Sequence, residues 1–289
     1  MFELGVLVSA LIDGLSYAMM IFLISIGLII IFGLMDVFNL AHGAFFGFGA
    51  YLFIQFFLTT GDYILSLLIA SVAGAVFGYI VERLLIRPLY GKPMLQLLMT
   101  MGLMILLFTL FQVVWPAGLY FPEVNNRILS GVYSILGVNI RIYKFVIIIG
   151  GVITFIILDI IFVRTRFGAM LRAGTENREL AYAFGINIDK LFSIAFILGS
   201  FLAFFGGAFV APITHATLEV PTTFTLLAFV VPVIGGMKSY RGGFYASLII
   251  GIIDRLVAYY FTWLSFAIDL LIMIIVLIIR PEGLFGGAE

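Results

Sequence analysis

Residues 11–32 read LIDGLSYAMMIFLISIGLIIIF, a run of 22 residues whose one charged side chain is Asp13. About 20 mostly apolar residues are enough for an α-helix to cross the hydrocarbon core of a bilayer. The whole chain has this character: 64% of its 289 residues are hydrophobic and 10% are charged, whereas soluble domains are about half apolar and a quarter charged. This composition excludes a soluble enzyme. The lack of cysteine excludes a disulfide-linked secreted domain, and the net charge of zero gives no indication of nucleic-acid binding.

Eight further apolar runs follow the first, and together they predict an all-α polytopic membrane protein with eight or nine transmembrane helices. Helices are favoured over a β-barrel because the runs are continuous, whereas barrel strands alternate apolar and polar residues over about ten positions. The second and seventh runs are short, so a broken or re-entrant segment is expected at either. Residues 1–289 are predicted to form a single transmembrane domain. The runs are 11–32, 44–58, 63–81, 95–114, 145–163, 191–211, 224–234, 244–260 and 263–279.

Positively charged side chains are concentrated in alternate connections between the runs. Of the 15 lysines and arginines, 11 lie in the 83–92 turn, in the 164–190 loop and around 238–241 and 280. Because cytoplasmic loops of membrane proteins are enriched in Lys and Arg, the 164–190 loop and the carboxyl terminus are predicted to be cytoplasmic. The 115–144 loop is then external. Nine helices would place the amino terminus outside, and eight would place it inside.

The 164–190 loop is the longest charged connection between apolar runs. Glu176 favours the start of a short helix, where acidic side chains interact well with the helix dipole. Gly185 is typical of a helix stop, and Asn187 or Asp189 can cap the helix that follows. Two interpretations are open from this pattern: a solvated connector, or a helix that docks on a cytoplasmic partner.

Two polar, glycine-rich stretches, 33–43 and 235–243, interrupt the apolar runs. Polar groups at membrane depth need protein or water as hydrogen-bonding partners. The first stretch is interpreted either as a broken helix that lines a translocation path or as an ordinary interfacial turn with a hydrogen-bonded histidine. Paired interruptions of this kind point to a central binding site. The candidate pathway residues in the two stretches are Asn39, His42, Gly43, Gly235 and Gly236.

The sequence has no GxxxxGK[ST], HExxH or GxSxG motif. If ATP drives this protein, another chain therefore binds it. No catalytic residue, metal site or cofactor is predicted. Asp254 lies within an apolar run, and it cannot simply be called a pair with Arg255, because adjacent residues of a helix project in different directions.

Several stretches of the chain resemble motifs of the permease subunit of bacterial and archaeal branched-chain amino-acid ABC importers. The resemblance covers almost the whole chain in order. It departs from the family at Arg241, where members more often begin Ile-Pro-Gly or Leu-Pro-Gly, and at Pro232. The matching stretches are 38–43 (FNLAHG, against N-F-A-H-G), 81–88 (VERLLIRP, against I-E-R…R-P), 168–173 (GAMLRA), 185–189 (GINID), 233–236 (VIGG), 242–243 (GG) and 280–286 (RPEGLFG).

The resemblance implies a subunit in the cytoplasmic membrane of a prokaryote that breaks no bond itself. It implies four partners: a homologous second permease, two cytoplasmic ATPases and an extracytoplasmic substrate-binding protein. It suggests that Asn39 and His42 line or gate the central path, and that residues 166–186 seat a short helix in a cleft of an ATPase. The residues implied for this coupling loop are Arg166, Phe167, Gly168, Leu171, Arg172, Glu176, Phe184 and Gly185, with Arg172 and Glu176 as polar contacts and Phe167, Leu171 and Phe184 as the packing surface.

The expected cargo is a branched-chain or other hydrophobic amino acid, moved by alternating access. Urea or short amides are the alternatives within the same type of importer. From a different class, the alternative is a secondary transporter that acts alone and is driven by an ion gradient.

Overall fold

The chain is almost entirely helical in the computed structural model, which describes residues 2–124, 126–135, 137–176 and 178–286. Two short strands form a hairpin near the middle of the chain. The elements are α1 Phe2–Met35, α2 His42–Thr60, α3 Tyr63–Val81, α4 Pro93–Val114, α5 Arg127–Ser130, β1 Val132–Ile135, β2 Val138–Arg141, α6 Tyr143–Arg164, α7 Arg166–Glu176, α8 Arg178–Ala183, α9 Ile188–Thr214, α10 Val220–Gly235, α11 Tyr240–Tyr260 and α12 Ser265–Ile279.

Seven helical stretches among the described residues are long and apolar enough to cross a membrane. Two shorter apolar helices, Val220–Gly235 and Ala267–Ile279, accompany them. Each of the nine predicted runs coincides with one of these nine helices, so the prediction of an all-α polytopic membrane protein is confirmed.

The interruptions of the helices differ from the expectation. The second run is not broken, because α2 continues for 19 residues. The seventh also forms one helix, and α10 continues through Pro232. The irregular backbone lies instead between α1 and α2, at residues 36–41.

Helices α1, α2 and α9 form the centre of the molecule, and α4 lies at its periphery. In the most apolar part of α1, 89% of the residues are buried, against 22% in α4. Small residues let the central helices approach closely. A Cβ built on Gly199 of α9 would lie 2.6 Å from the carbonyl oxygen of Gly27 in α1, so the two backbones touch. Buried phenylalanines such as Phe45 and Phe204 fill the space around this contact.

The connection between α6 and α9 contains two short helices where one was predicted. Glu176 ends α7 and does not begin a helix; its side chain and residue 177 lie outside the described part of the chain. The predicted helix stop is confirmed, since Gly185 has φ +80° and the amide of Ile186 donates to the carbonyl of Ala181 in a Schellman motif. Of the two candidate caps, Asn187 is the one used, accepting from the amide of Lys190 at 3.0 Å.

The 115–144 segment packs against the helix ends that lie opposite the basic loops. Strands β1 and β2 pair antiparallel in the register Val132↔Arg141, a hairpin that the sequence pattern did not predict. His215, just after α9, accepts a hydrogen bond at Nδ1 from the amide of Phe121 at 3.1 Å. Burial lowers the pKa of His215, and the nearby Arg141 lowers it further. The segment is thus held to the helices by a neutral imidazole.

The 82–92 turn joins α3 to α4 and contacts the start of α9. It begins as a π-helical turn over Glu82–Ile86. The Tyr90 hydroxyl donates to the buried carboxylate of Glu82 at 2.6 Å, and Arg87 lies 3.5 Å from Asp189. The stretch that resembles the family's I-E-R…R-P turn therefore connects α3 with the end of the 164–190 loop.

Candidate functional site

The segment of residues 36–41, called the returning segment below, folds back along α1 before α2 begins. His42, the first residue of α2, places Nε2 2.9 Å from the carbonyl oxygen of Ile24. Ile24 lies about three turns, roughly 16 Å, before the end of α1 at Met35. The amino end of α2 therefore lies beside the interior of α1, not at its end. The histidine is hydrogen-bonded, as one of the two interpretations expected, and the segment turns back beside α1; that it lines a translocation path stays a prediction.

Contacts from α4 and from the turn before α11 hold the returning segment in place. Asp36 takes the unusual φ of +53°, and its carboxylate lies 3.1 Å from Lys238, which precedes α11. The Thr100 hydroxyl of α4 donates to the carbonyl of Phe38 at 2.9 Å. Irregular backbone within a membrane protein needs such partners, because lipid offers no hydrogen bonds.

Asn39 and His42 are fully buried at this break. Within the described residues, neither the oxygen nor the nitrogen of the Asn39 amide has a hydrogen-bonding partner, and neither has Nδ1 of His42. A carbonyl oxygen only accepts, so His42 must donate to Ile24 through Nε2–H, and Nδ1 is a bare acceptor. The fold therefore buries these polar atoms and leaves them without a hydrogen-bonding partner among the residues that the structure describes.

Helix α10 covers the start of α2. A Cβ on Gly43 would lie 2.5 Å from the Cα of Thr225, and one on Gly47 would lie 2.7 Å from the ring of Pro221. Both pairs have a spacing of four residues, so the two helices meet along a seam of small residues. Gly43 thus belongs to the predicted site by contact, whereas Thr225 was missed, because a threonine within an apolar run gives no sequence signal.

Gly235 and Gly236 lie elsewhere, at the end of α10 beside the carboxyl-terminal segment. A Cβ on Gly235 would lie 2.5 Å from the carbonyl oxygen of Gly242, and Gly236 has φ +104°. The amide of Leu284 donates to the carbonyl of Ile234 at 2.7 Å. The structure does not bring these glycines together with Asn39 and His42, and their role in a pathway stays a prediction.

Part of the predicted coupling loop faces its own protein. Phe167 and Leu171 pack against the central core. Gly168 lies against the end of α6, where its Cβ would be 2.5 Å from the carbonyl carbon of Phe162, and the Arg172 guanidinium donates to the carbonyl oxygen of the same Phe162. These residues therefore anchor α7 to α6, and their contact with an ATPase stays a prediction.

The other part of the loop faces outward. Phe184 is 79% exposed and Tyr182 is 74% exposed, while Ala181, which directly precedes Tyr182, is buried. Phe184 was among the predicted residues, and Tyr182 was missed because interfacial tyrosines are common in membrane proteins. These two exposed side chains, called the aromatic surface below, lie on a loop that carries five basic and three acidic residues.

A second buried polar group lies between α1, α11 and α12. We call Tyr17, Asp254, Arg255 and Asp269 the ionic cluster. The Tyr17 hydroxyl donates to Asp269 at 2.9 Å, and the Arg255 guanidinium lies 4.1 Å from the centre of the Tyr17 ring, a cation–π distance. Asp254 lies 3.0 Å from Nε of Arg255, although the angle does not suit a hydrogen bond. The sequence left the pairing of these neighbours open, and in the structure the long Arg255 side chain brings its guanidinium to the Asp254 carboxylate.

Arg241, which departs from the related motif, has a structural contact. Its Nε donates to Asp159 of α6 at 2.8 Å, and the hydroxyl of Tyr240 donates to the same carboxylate at 2.9 Å. The departure thus fastens α11 to α6.

An apolar groove of about 470 Å³ runs between the 82–92 turn and α4. Leucines and a methionine line it, among them Leu85, Leu98 and Met99. It is on the outer side of α4, away from Asn39 and His42, and its surface resembles lipid-facing helix surface.

Comparison with known proteins agrees with this arrangement. Residues 10–279 match the family described as the permease component of the branched-chain amino acid transport system. The chain belongs to this family of membrane permeases. The matched range includes the returning segment, helix α10, which covers the start of α2, and the α7–α8 loop.

Curated relatives align over nearly their whole length. This permease is 26% identical to the high-affinity branched-chain amino acid transport system permease protein LivH of Escherichia coli, covering 96% of this chain and 93% of the relative. It is 25% identical to BraD of Pseudomonas aeruginosa, over 96% and 95%. It is 27% identical to a probable branched-chain amino acid transport permease, LivH, of Methanocaldococcus jannaschii, over 94% and 90%. No solved structure matches the chain.

Proposed function

We propose that this permease is the membrane-spanning subunit of an ATP-driven importer that carries branched-chain or other hydrophobic amino acids. Its partners would be a homologous permease, two cytoplasmic ATPases and an extracytoplasmic binding protein. The observation that carries the ATP-driven part is the exposed aromatic surface of Tyr182 and Phe184. Exposed aromatic residues on a polar loop are typical of protein interfaces.

The loop is well placed to transmit a force to the central helices. Gly174 of α7 lies against Leu191 at the start of α9, where its Cβ would be 3.1 Å from Cδ2, and within 3.8 Å of Leu34 near the end of α1. Arg172 fastens the same helix to α6. A displacement of α8 by a partner would therefore reach α1, α6 and α9 through side chains already in contact.

The orientation proposed from the sequence is consistent with this use. The turn 82–92 and the 164–190 loop meet through Arg87 and Asp189, and Lys238 reaches Asp36 at the end of α1. The carboxyl-terminal segment docks near by, on Ile234. All these basic elements thus gather at one end of the helices, which the positive-inside rule assigns to the cytoplasm.

Replacing Phe184 by Ala tests the coupling surface. With the ring absent, the ATPases should co-purify at less than a tenth of the wild-type amount from detergent, because buried aromatic anchors dominate interface free energy. Leucine uptake by proteoliposomes containing the complex should fall in parallel. Tyr120→Ala is the matched control: Tyr120 is 63% exposed on the 115–144 segment, and its removal should leave ATPase recovery unchanged. Normal recovery with Phe184→Ala would remove the support for this surface.

Experiments on the wild-type protein distinguish the proposed importer from the two alternatives. Vesicles that contain the permeases but lack the ATPases should show no leucine uptake when a proton or sodium gradient is imposed. Gradient-driven uptake there would favour the secondary transporter. In the complete complex, urea or acetamide in place of leucine should fail to stimulate ATP hydrolysis through the binding protein.

A further inference from the structure

The break before α2 combines a helix amino end with buried unbonded side chains. The first amide groups of a helix have no intrahelical acceptor, and among the described residues Ala41 at the cap position supplies no side-chain oxygen. Asn39, two residues before Ala41, does not cap them either and has both side-chain amide atoms unbonded. The amide of His42 itself donates to the backbone carbonyl of Asn39 at 3.1 Å, so the groups that remain in the described fold are the Asn39 side chain, Nδ1 of His42 and the next amides of α2.

The unbonded atoms fall into two chemical sets. Nδ1 of His42 is a bare acceptor, and the Asn39 oxygen is a second. The Asn39 nitrogen and the first amides of α2 are donors, at the end of the helix where the dipole favours negative charge. A ligand that complements both sets carries a cationic donor and an anionic acceptor a few ångströms apart.

We propose that Asn39, His42 and the amino end of α2 bind the α-ammonium and α-carboxylate groups of the transported amino acid. The ammonium group donates to His42 and to the Asn39 oxygen, and the carboxylate accepts from the Asn39 nitrogen and the helix amides. The inference rests on the proposed function, since it assigns the recognition of the substrate within that importer.

The site is covered by α10 in this conformation, so binding requires a movement. Thr225 lies directly on Gly43, and Pro221 lies on Gly47. Because both contacts are between small residues and include no ion pair, α10 can separate from α2 without breaking a charged contact. The substrate then enters where Thr225 had been, beside a helix end whose bonding groups are already in place.

Asn39→Asp tests the site with little change of volume. The added negative charge repels the carboxylate, so leucine uptake by proteoliposomes with the ATPases and the binding protein should fall at least tenfold. ATP hydrolysis stimulated by the leucine-loaded binding protein should stay within twofold, because the coupling loop is unchanged. Tyr51→Phe is the control. It removes the hydroxyl of Tyr51 in α2, which is also buried and without a hydrogen-bonding partner in the described ranges, and uptake should stay within twofold of wild type.

Three results would overturn the proposal: uptake by Asn39→Asp within twofold of wild type, an equal loss of uptake and ATP hydrolysis in a normally assembled complex, or an equal loss of uptake in Tyr51→Phe.

If Asn39→Asp does not assemble, a labelling experiment on the wild-type complex tests the site. A diazirine-bearing leucine analogue, photolysed during ATP turnover, should label peptides containing residues 39–46 or 221–228, and labelling confined to other peptides would refute the site. Failure of the proposed function is distinct, since the wild-type complex would then show no ATP-dependent leucine uptake at all.

Discussion

The break before α2 and the ionic cluster are both buried polar regions among apolar helices, but their side chains are satisfied in different ways. In the ionic cluster, Tyr17 donates to Asp269, and Asp254 lies beside the Arg255 guanidinium. At the break, the Asn39 amide has no partner within the described part of the chain. Oδ2 of Asp254 and Oδ1 of Asp269 also lack a hydrogen bond among these described residues, but each belongs to a carboxylate that faces Arg255 or Tyr17. Such partnered groups hold helices together, whereas the Asn39 amide, with neither atom bonded, is available to a ligand.

The two regions also differ in the helices that surround them. The ionic cluster joins α1 to α11 and α12 through long side chains, and α1 and α11 also touch through their backbones close by, since a Cβ on Gly251 would lie 2.6 Å from the Cα of Ala18. The break is closed by direct backbone contact of α10 with Gly43. Because the Gly43 contact lies next to the unbonded side chains of Asn39 and His42, we expect a substitution in the α2–α10 seam to affect transport more than one in the ionic cluster.

Gly43→Ala should have the largest effect. Its methyl group would lie 2.5 Å from the Cα of Thr225, so α10 must shift, at a cost of about 1–3 kcal/mol in the free energy of unfolding. Leucine uptake by the reconstituted complex should fall more than tenfold, because the seam no longer closes. In the control Gly102→Ala, no atom of the described residues lies within 4 Å of the new methyl, so uptake and stability should not decrease. Equal behaviour of the two variants would contradict the importance of the seam.

Asp254→Asn should affect stability and leave transport intact. Loss of the carboxylate charge removes the ion-pair partner of Arg255, which we expect to cost about 1–3 kcal/mol; this is less than for a fully buried pair, because the Arg255 side chain is 40% exposed. Thermal unfolding in detergent measures the change. Asp189→Asn, which loses the contact of a much more exposed carboxylate with Arg87, should change stability by less than about 1 kcal/mol.

The ionic cluster could still take part in transport, and the same variant tests this. If Asp254→Asn abolishes leucine uptake per correctly folded molecule while its unfolding temperature stays unchanged, the contrast between a structural cluster and a ligand-binding break is wrong.

Lowering the pH should have the smallest effect of these changes, a weaker attachment of the 115–144 segment to the helices. Because burial lowers the pKa of His215 below its ordinary value of 6.5, the unfolded form takes up a proton first as the pH falls. The stability that the neutral imidazole contributes is therefore present above pH 6.5 and is lost progressively below it. Protonated Nδ1 cannot accept from the Phe121 amide, so hydrogen exchange of that amide, corrected for its intrinsic rate, should accelerate between pH 7.5 and pH 5.5.

His215→Gln is the control for this pH dependence. Glutamine keeps a side-chain acceptor but does not titrate, so its corrected exchange rate should be the same at both values of pH. An unchanged dependence in the variant would assign the effect to another group.

Much of the fold was predictable from the sequence because its signals are local. Apolar runs of helical length give the nine helices, since a bilayer requires them. Gly185 and Asn187 mark the end of one helix and the start of the next through backbone conformation and a single side-chain hydrogen bond. The glycine-rich polar stretch around His42 indicated an interruption of the helices.

The tertiary structure alone decided which of these polar residues belong together. It placed His42 beside Ile24, laid Thr225 on Gly43, moved Gly235 and Gly236 to the carboxyl-terminal segment, turned Leu171 inward and joined Asp254 to Arg255. These are contacts between residues far apart in the chain, or choices of rotamer. The sequence pattern could not give them, because periodicity tells which face of a helix is apolar but not which helix that face meets. Burial and hydrogen bonding depend on that second fact.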